Sequence, residues 1–284
     1  MSTIVIPNIK KFLGRPRIKG LLLAILCIII LLGFQTLTSS SNATEKLPPL
    51  PKGQHWELIW SDEFEGKELD ENKWERLGNW PRRAGYWDQS TVFLDEQGHL
   101  IIETRRDDQG RYLTGGIRSQ GKFEHTYGYY EIRCRFPQKE GHWSDFWLFA
   151  RPSQFGNGDV HRVGNEGRDG TEVDIFEFQP GEHKDEMRHA INWDAQANYG
   201  QDHLTTYKTK RFRKGFYVIG LNWQPEIYDF YVQGQKVWST SEGGVAQVPH
   251  FIKVSNEVFS PSLSFTSDNL IVDYIRVYVS VLSS

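Results

Sequence analysis

An all-β fold, antiparallel and built from two sheets packed face to face, is what this sequence predicts. Apolar residues either alternate with polar ones or run in short bursts. Turn clusters rich in Gly, Pro, Asn and Asp separate the bursts. No long stretch carries a helical period flanked by caps. The 26 Gly and 12 Pro suit many short strands. The 10 Trp, 12 Tyr and 17 Phe are far too many for a disordered chain.

Residues 1–45 stand apart. Lys10, Lys11, Arg15, Arg17 and Lys19 precede an uncharged apolar run over 21–34, the layout of a secretory signal. Ser41-Asn42-Ala43 offers a small-x-small cleavage site before Thr44. Extended through Thr38, the run approaches the roughly 20 apolar residues of a membrane span, so an uncleaved anchor is the alternative. In either form the flanking cations stay in the cytoplasm and residues 46–284 are exported, secreted or membrane-anchored. Membrane contact is expected only through this segment if it is retained.

With residues 1–45 set aside, 28 basic and 35 acidic residues remain, a net of −7 against −3 for the whole chain. That balance argues against nucleic acid as a partner. Cys27 lies in the apolar run, which leaves Cys134 alone in the exported part. Tyr130, Ile132, Cys134 and Phe136 alternate with Glu131, Arg133 and Arg135, so Cys134 reads as a buried core thiol rather than a nucleophile.

Residues 46–55 read as a linker and 56–284 as one domain, with no internal repeat. Strands are predicted over 99–104, 128–136, 143–150, 172–178, 216–223, 227–232 and 270–279. Between two of them, 151–170 is a glycine-rich loop that leads into the fourth strand. Loops of this length are usually functional or disordered, and this one reads as a wall beside the site.

The segment Thr171-Glu172-Val173-Asp174-Ile175-Phe176-Glu177-Phe178 is the most informative. In a strand, successive side chains take opposite faces. Glu172 and Asp174 then share one face, with Val173 and Ile175 on the core face. Strict alternation would bury Glu177 beside Val173 and Ile175, at a heavy desolvation cost. A β-bulge near Ile175-Phe176 would return Glu177 to the acidic face and send Phe178 into the core. The alternative is a solvated strand end with Glu177 exposed before the Gln179-Pro180-Gly181 turn. Three carboxyls on one face suit glycosidic cleavage with retention. That reaction needs one carboxylate to attack and one carboxyl to donate a proton. A third acid between them can hold a proton and bond the nucleophile.

Glu-Val-Asp-Ile-Phe-Glu resembles the signature of glycoside hydrolase family 16 in its six-residue, bulged form, the form of laminarinases, agarases and carrageenases. An ordered series of further segments is similar to the same family: Trp60-Ser61-Asp62-Glu63-Phe64, Leu69-Asp70 with Trp74, Gly115 to Ser119, Tyr127 to Arg133, Gly141-His142-Trp143 with Phe146-Trp147-Leu148, and Val272 to Tyr278.

The resemblance implies a β-jelly-roll sandwich, concanavalin A-like, with a concave substrate cleft. It implies Glu172 as nucleophile, Glu177 as acid/base and Asp174 as assisting acid. Trp143 and Trp147 share a strand face with Asp145 and are expected as sugar platforms, since aromatic rings pack on the apolar faces of sugars. Asp145 and Ser144 depart from the family, which more often has a small apolar residue and a proline there, and Asp145, between the two tryptophans, is expected to bind sugar hydroxyls. His189 and Trp193 match a strand near the catalytic acid, where His189 either touches acid or substrate or is a packing residue. Asn192 stands where many relatives have His. Trp80 and Trp87 are expected at a cleft rim, and Arg82, Arg83, Arg162 and Arg168 as solvated loop arginines. No cofactor is required. Asp273 matches one ligand of the structural calcium that relatives often carry. The implied substrate is a β-linked polysaccharide, foremost a β-1,3-glucan, cleaved by a monomer. A β-galactan hydrolase, a transglycosylase and a non-catalytic glycan-binding protein are the alternatives.

Overall fold

The computed structural model describes residues 47–150, 171–178, 186–193, 203–210, 215–259 and 267–283. The N-terminal signal or anchor segment, the loop over 151–170 with Arg162 and Arg168, and the turn at 179–181 lie outside the described residues.

Two sheets form a sandwich. One has eleven strands among the described residues, with its central order Tyr217–Gln224, Gly128–Arg135, Ser267–Leu282 and Leu100–Arg106. The other has eight, running His203–Lys210, Glu186–Trp193, Glu172–Phe178, His142–Ala150, His250–Val258, Gly116–Arg118 and Glu75–Leu77, with Glu124–His125 also paired to His250–Val258. Pairing is antiparallel as expected except between the short strands Gly85–Trp87 and Tyr112–Thr114, which run parallel. The first strand, Gln54–Asp62, opens two residues ahead of the expected boundary and pairs with Ser267–Leu282.

Alternation builds the core. Tyr130, Ile132 and Cys134 from one sheet meet Phe146, Leu148, Val173, Ile175, Ile252 and Val254 from the other, all with no solvent exposure. Burial gives each large side chain about 1.5–3 kcal/mol. It also raises the Cys134 thiol far above its ordinary value, which keeps it protonated. Phe136 packs edge-on to Phe176 at 5.0 Å and against Phe178 at 4.4 Å, so both aromatics of the acidic strand point inward.

The opening segment serves the fold. Asp62 accepts from Trp74 Nε1 at 2.8 Å and from the Phe64 backbone at 3.0 Å. Glu63 takes the Arg276 guanidinium through both oxygens, at 2.9 and 2.8 Å, and so ties the start of the domain to its last strand. Gly128 sits at a φ of +108°, where an added Cβ would meet the Tyr278 carbonyl oxygen at 2.5 Å, so only glycine fits.

Ser144 faces the core, not the outer face. Its hydroxyl donates to Asn256 Oδ1 at 2.7 Å, and Asn256 Nδ2 donates to Thr104 Oγ1 at 2.7 Å and to His142 Nδ1 at 3.0 Å. A hydroxyl at this position lets a buried asparagine satisfy its amide between the sheets.

Candidate active site

The acidic strand carries the bulge. Against His142–Ala150, Trp147 pairs with Asp174 and Phe146 with Phe176, so Ile175 is the extra residue. Against Glu186–Trp193, Ala190 pairs with Asp174 and Arg188 with Glu177, two residues against one across the same step. The inserted residue resets the alternation. Val173, Ile175, Phe176 and Phe178 all enter the core, and Glu177 returns to the side of Glu172 and Asp174. The strand end is not solvated: Glu177 is 7% exposed.

His189 stabilises the bulge. Its Nδ1 donates to the Ile175 carbonyl oxygen at 2.6 Å, and its ring is wholly buried against Phe230, with centroids 5.2 Å apart. This corrects the expectation of His189 as a substrate-binding residue. It shares the core face with Met187 and Ile191, whereas Arg188, Ala190 and Asn192 pair with the acidic residues. Burial brings the imidazole down to about 4, so it is neutral. The side chain of Trp193 lies outside the described residues.

Rows of side chains cross the outer face of the eight-stranded sheet. In one, Asn192 pairs with Glu172. In the next, Asp174, Trp147, Lys253 and Arg118 stand side by side. In a third, Arg188, Glu177, Asp145 and Ser255 do so. Trp143 and Glu257 make a fourth.

The carboxyls are tightly held. Asn192 Nδ2 donates to Glu172 Oε1 at 3.1 Å and to Asp174 Oδ2 at 2.8 Å, one amide tying two acids. Glu177 Oε1 accepts from Trp143 Nε1 at 3.1 Å and Arg188 Nη2 at 2.7 Å, and Oε2 accepts from Arg188 Nε at 2.6 Å. Burial first, then repulsion by Glu172 and Glu177, holds Asp174 well above the usual carboxylate range. Burial raises Glu172 to about 7 against the pull of Lys253. Burial likewise brings Lys253 down to about 7, with Glu172 opposing.

The tryptophans expected as platforms are already partnered. The Arg83 guanidinium lies over the Trp143 ring, 3.8 Å from its centroid, and Lys253 Nζ lies 3.5 Å over Trp147. Trp147 Nε1 donates to Ser255 Oγ at 3.3 Å. Asp145 is 8% exposed, and its Oδ1 is buried with no hydrogen-bond partner among the described residues. Trp80 is 41% exposed and meets Trp87 edge-on at 5.8 Å. Trp87 is not a rim residue: its ring is buried and its Nε1 donates to the Asn256 carbonyl at 3.0 Å. Arg82 and Arg83 stay partly solvated, with 38% and 39% of their side chains exposed, yet each has a fixed partner. Both pair through Nε with Glu257, which is 1% exposed, Arg82 at 2.7 Å.

Asp273 is held by the Arg133 guanidinium and lies 3.9 Å from His99 Nε2, on the other sheet. Among the described residues no group of three or more His, Cys, Asp and Glu is arranged to hold a metal ion.

Sequence reasoning missed Arg188 and Glu257. Arg188 was legible as a cation alternating with Met187 and His189. Glu257 gave no signal, because its partners are more than 170 residues away in the chain.

Known proteins resemble this chain in sequence and in fold. The chain is 28% identical over 244 residues to a beta-glucanase of Rhodothermus marinus, covering 82% of this chain and 76% of that protein. It is 26% identical over 246 residues to a keratan-sulfate endo-1,4-beta-galactosidase of Sphingobacterium multivorum, covering 78% of this chain and only 55% of that one. A laminarinase from Flavobacterium sp. UMI-01 superposes with a TM-score of 0.66 at 21% identity, over 78% of this chain and 100% of that chain, which shows the shared sandwich fold. The family Glycosyl hydrolases family 16 matches residues 79–258, a span that contains the whole acidic strand, and the chain belongs to that family.

Proposed function

We propose that this chain is a retaining, endo-acting β-glycosidase that hydrolyses a β-1,3-linked glucan by double displacement. The observation that carries the reading is the bulge at Ile175, which brings Glu172, Asp174 and Glu177 to one face. The beta-glucanase and laminarinase relatives support the substrate class.

In this mechanism Glu172 attacks the anomeric carbon while Glu177 gives a proton to the departing oxygen. A glycosyl ester forms on Glu172. Glu177 then takes a proton from water, which opens the ester with net retention. Asp174, kept protonated by burial and its neighbours, shares Asn192 with Glu172 and stabilises the charge on the nucleophile. The sugar ring would displace Arg83 from the face of Trp143 and Lys253 from Trp147 to use those rings as platforms. The apolar run over 21–34 with its five preceding cations supports export, so the enzyme acts outside the cytoplasm.

The test is a panel of laminarin, lichenan, agarose and carrageenan given to the full-length chain, with product linkage and early anomers analysed. Laminarin is cleaved with retention. Glu172→Gln and Glu177→Gln each remain folded and lose about 10²–10⁴-fold in rate. Cleavage confined to agarose or carrageenan, inverted products, or full activity in either variant refutes the reading.

A further inference from the structure

The resting geometry of Glu177 does not suit a proton donor. Both of its oxygens accept from N–H groups, two of them on the Arg188 guanidinium. Protonation would neutralise the carboxylate and so cost it the charge-assisted, two-pronged guanidinium pair that holds it here. For Glu177 to carry a proton, Arg188 needs another anion.

Asp145 is the group placed to supply it. It is the cross-strand partner of Glu177, on the same face, in the row that runs from Arg188 through Glu177 to Asp145. Directly opposed residues have Cβ atoms about 4.5–5.5 Å apart. Asp145 is buried, and its Oδ1 has no hydrogen-bond partner among the described residues. A buried carboxylate oxygen without a donor is costly, so the resting Asp145 is the neutral acid.

We infer that Asp145 is a positioning residue that exchanges a proton with Glu177 while Arg188 changes partner. One proton leaves an Asp145 oxygen and binds a Glu177 oxygen. The guanidinium, charged throughout, shifts from the Glu177 carboxylate to the new Asp145 carboxylate. Arg188, Glu177 and Asp145 sum to zero charge before and after. No oxidant, metal or further reactant takes part.

The surroundings fit. Burial holds Asp145 well above the usual carboxylate range, reinforced by Glu177 and Glu257 and also by Glu172, with Arg83 opposing. Asp174 on the acidic strand adds to the repulsion, and Arg188 feels the charge of Asp145. From His250–Val258, Lys253 and Glu257 flank Ser255, the other cross-strand partner of Asp145. Negative neighbours keep the resting proton on Asp145.

The inference rests on Glu177 as proton donor, and the test separates the two. Full-length wild type, Asp145→Asn and Glu177→Gln are compared on laminarin and on a dinitrophenyl β-glycoside of the same sugars, whose leaving group needs no proton. Asp145→Asn loses about tenfold in kcat/KM on laminarin, keeps the wild-type value on the dinitrophenyl glycoside, and its alkaline limb moves to lower pH. Equal loss on both substrates, or wild-type rates with a wild-type pH profile, overturns the role of Asp145 and leaves Glu177 as donor. Wild-type cleavage of laminarin by Glu177→Gln refutes the donor assignment itself. Should Asp145→Asn not fold, infrared spectra of Glu177→Gln and wild type at neutral pH decide the matter. With Glu177 removed, Arg188 pairs with Asp145, so one protonated-carboxyl band disappears; a retained band overturns the inference.

Discussion

His189 holds the carbonyl of Ile175, the inserted residue of the acidic strand, through an Nδ1 donor at 2.6 Å. A bulge removes a residue from the ladder and leaves its polar groups to find other partners. Here an imidazole from the neighbouring strand does this, and the position of Glu177 depends on it.

Replacing His189 with Phe keeps the ring packing on Phe230 but leaves that carbonyl unsatisfied. The expected cost is about 1–3 kcal/mol of stability. Activity should fall by more than the lost stability explains, because relaxation of the bulge turns Glu177 out of its row. Urea midpoints and kcat/KM on laminarin check this. Wild-type values of both would show that the bulge stands without the histidine.

Glu172 opposes folding at high pH. Its value is about 7 in the folded protein against an ordinary 4.5. The folded state therefore binds more protons than the unfolded one between those values, and stability falls as pH rises from about 4.5 to 7. Glu172→Gln escapes this, and at pH above 7 should gain up to about 3 kcal/mol. The gain should vanish as pH falls to about 4.5. Denaturation of both proteins at the two ends of that window measures it, and a gap independent of pH would refute it.

Lys253 is the cation that most favours ionised Glu172. Lys253→Met should move the acidic limb of kcat/KM to higher pH, since the nucleophile must be charged to attack. Binding on the Trp147 ring should tighten at the same time, because Nζ no longer covers it. A pH-rate profile with laminarin affinity tests both, and an unmoved acidic limb contradicts the assignment.

Cys134 should resist thiol reagents in the native protein and react fully in denaturant. It is wholly buried and its thiol is raised by that burial. Rapid labelling without denaturant would show that the sandwich opens locally at the strand Gly128–Arg135.

Much of this was legible because local chemistry conflicted with strict alternation. Three acids in one apolar strand are compatible with burial only if the strand skips a residue, and that conflict located the bulge. The core face of residues 130–136 followed from the two-residue period in the same way. What failed to show depends on long-range register. For His189 the local pattern leaves contact with acid or substrate and packing equally open, and only the register, which groups it with buried Met187 and Ile191, puts it in the core and Arg188 outside. Trp87 reads locally as a rim aromatic, but the carbonyl that accepts from its buried indole belongs to Asn256, 169 positions along the chain. Charged side chains lying over Trp143 and Trp147 come from remote segments, and no local spacing encodes them.

The pairing of the first and last strands has a mechanical consequence. Gln54 stands opposite Leu282, and Ser283 donates to the Gly53 carbonyl at 2.7 Å, so both ends of the domain leave from one point on its edge. Force applied between them acts along the ladder bonds, which lie across the strands, and unzips the pair one rung at a time. A pull on either flank would peel the strand Gln54–Asp62 from Ser267–Leu282 first, while the carboxyl-bearing sheet keeps its shape.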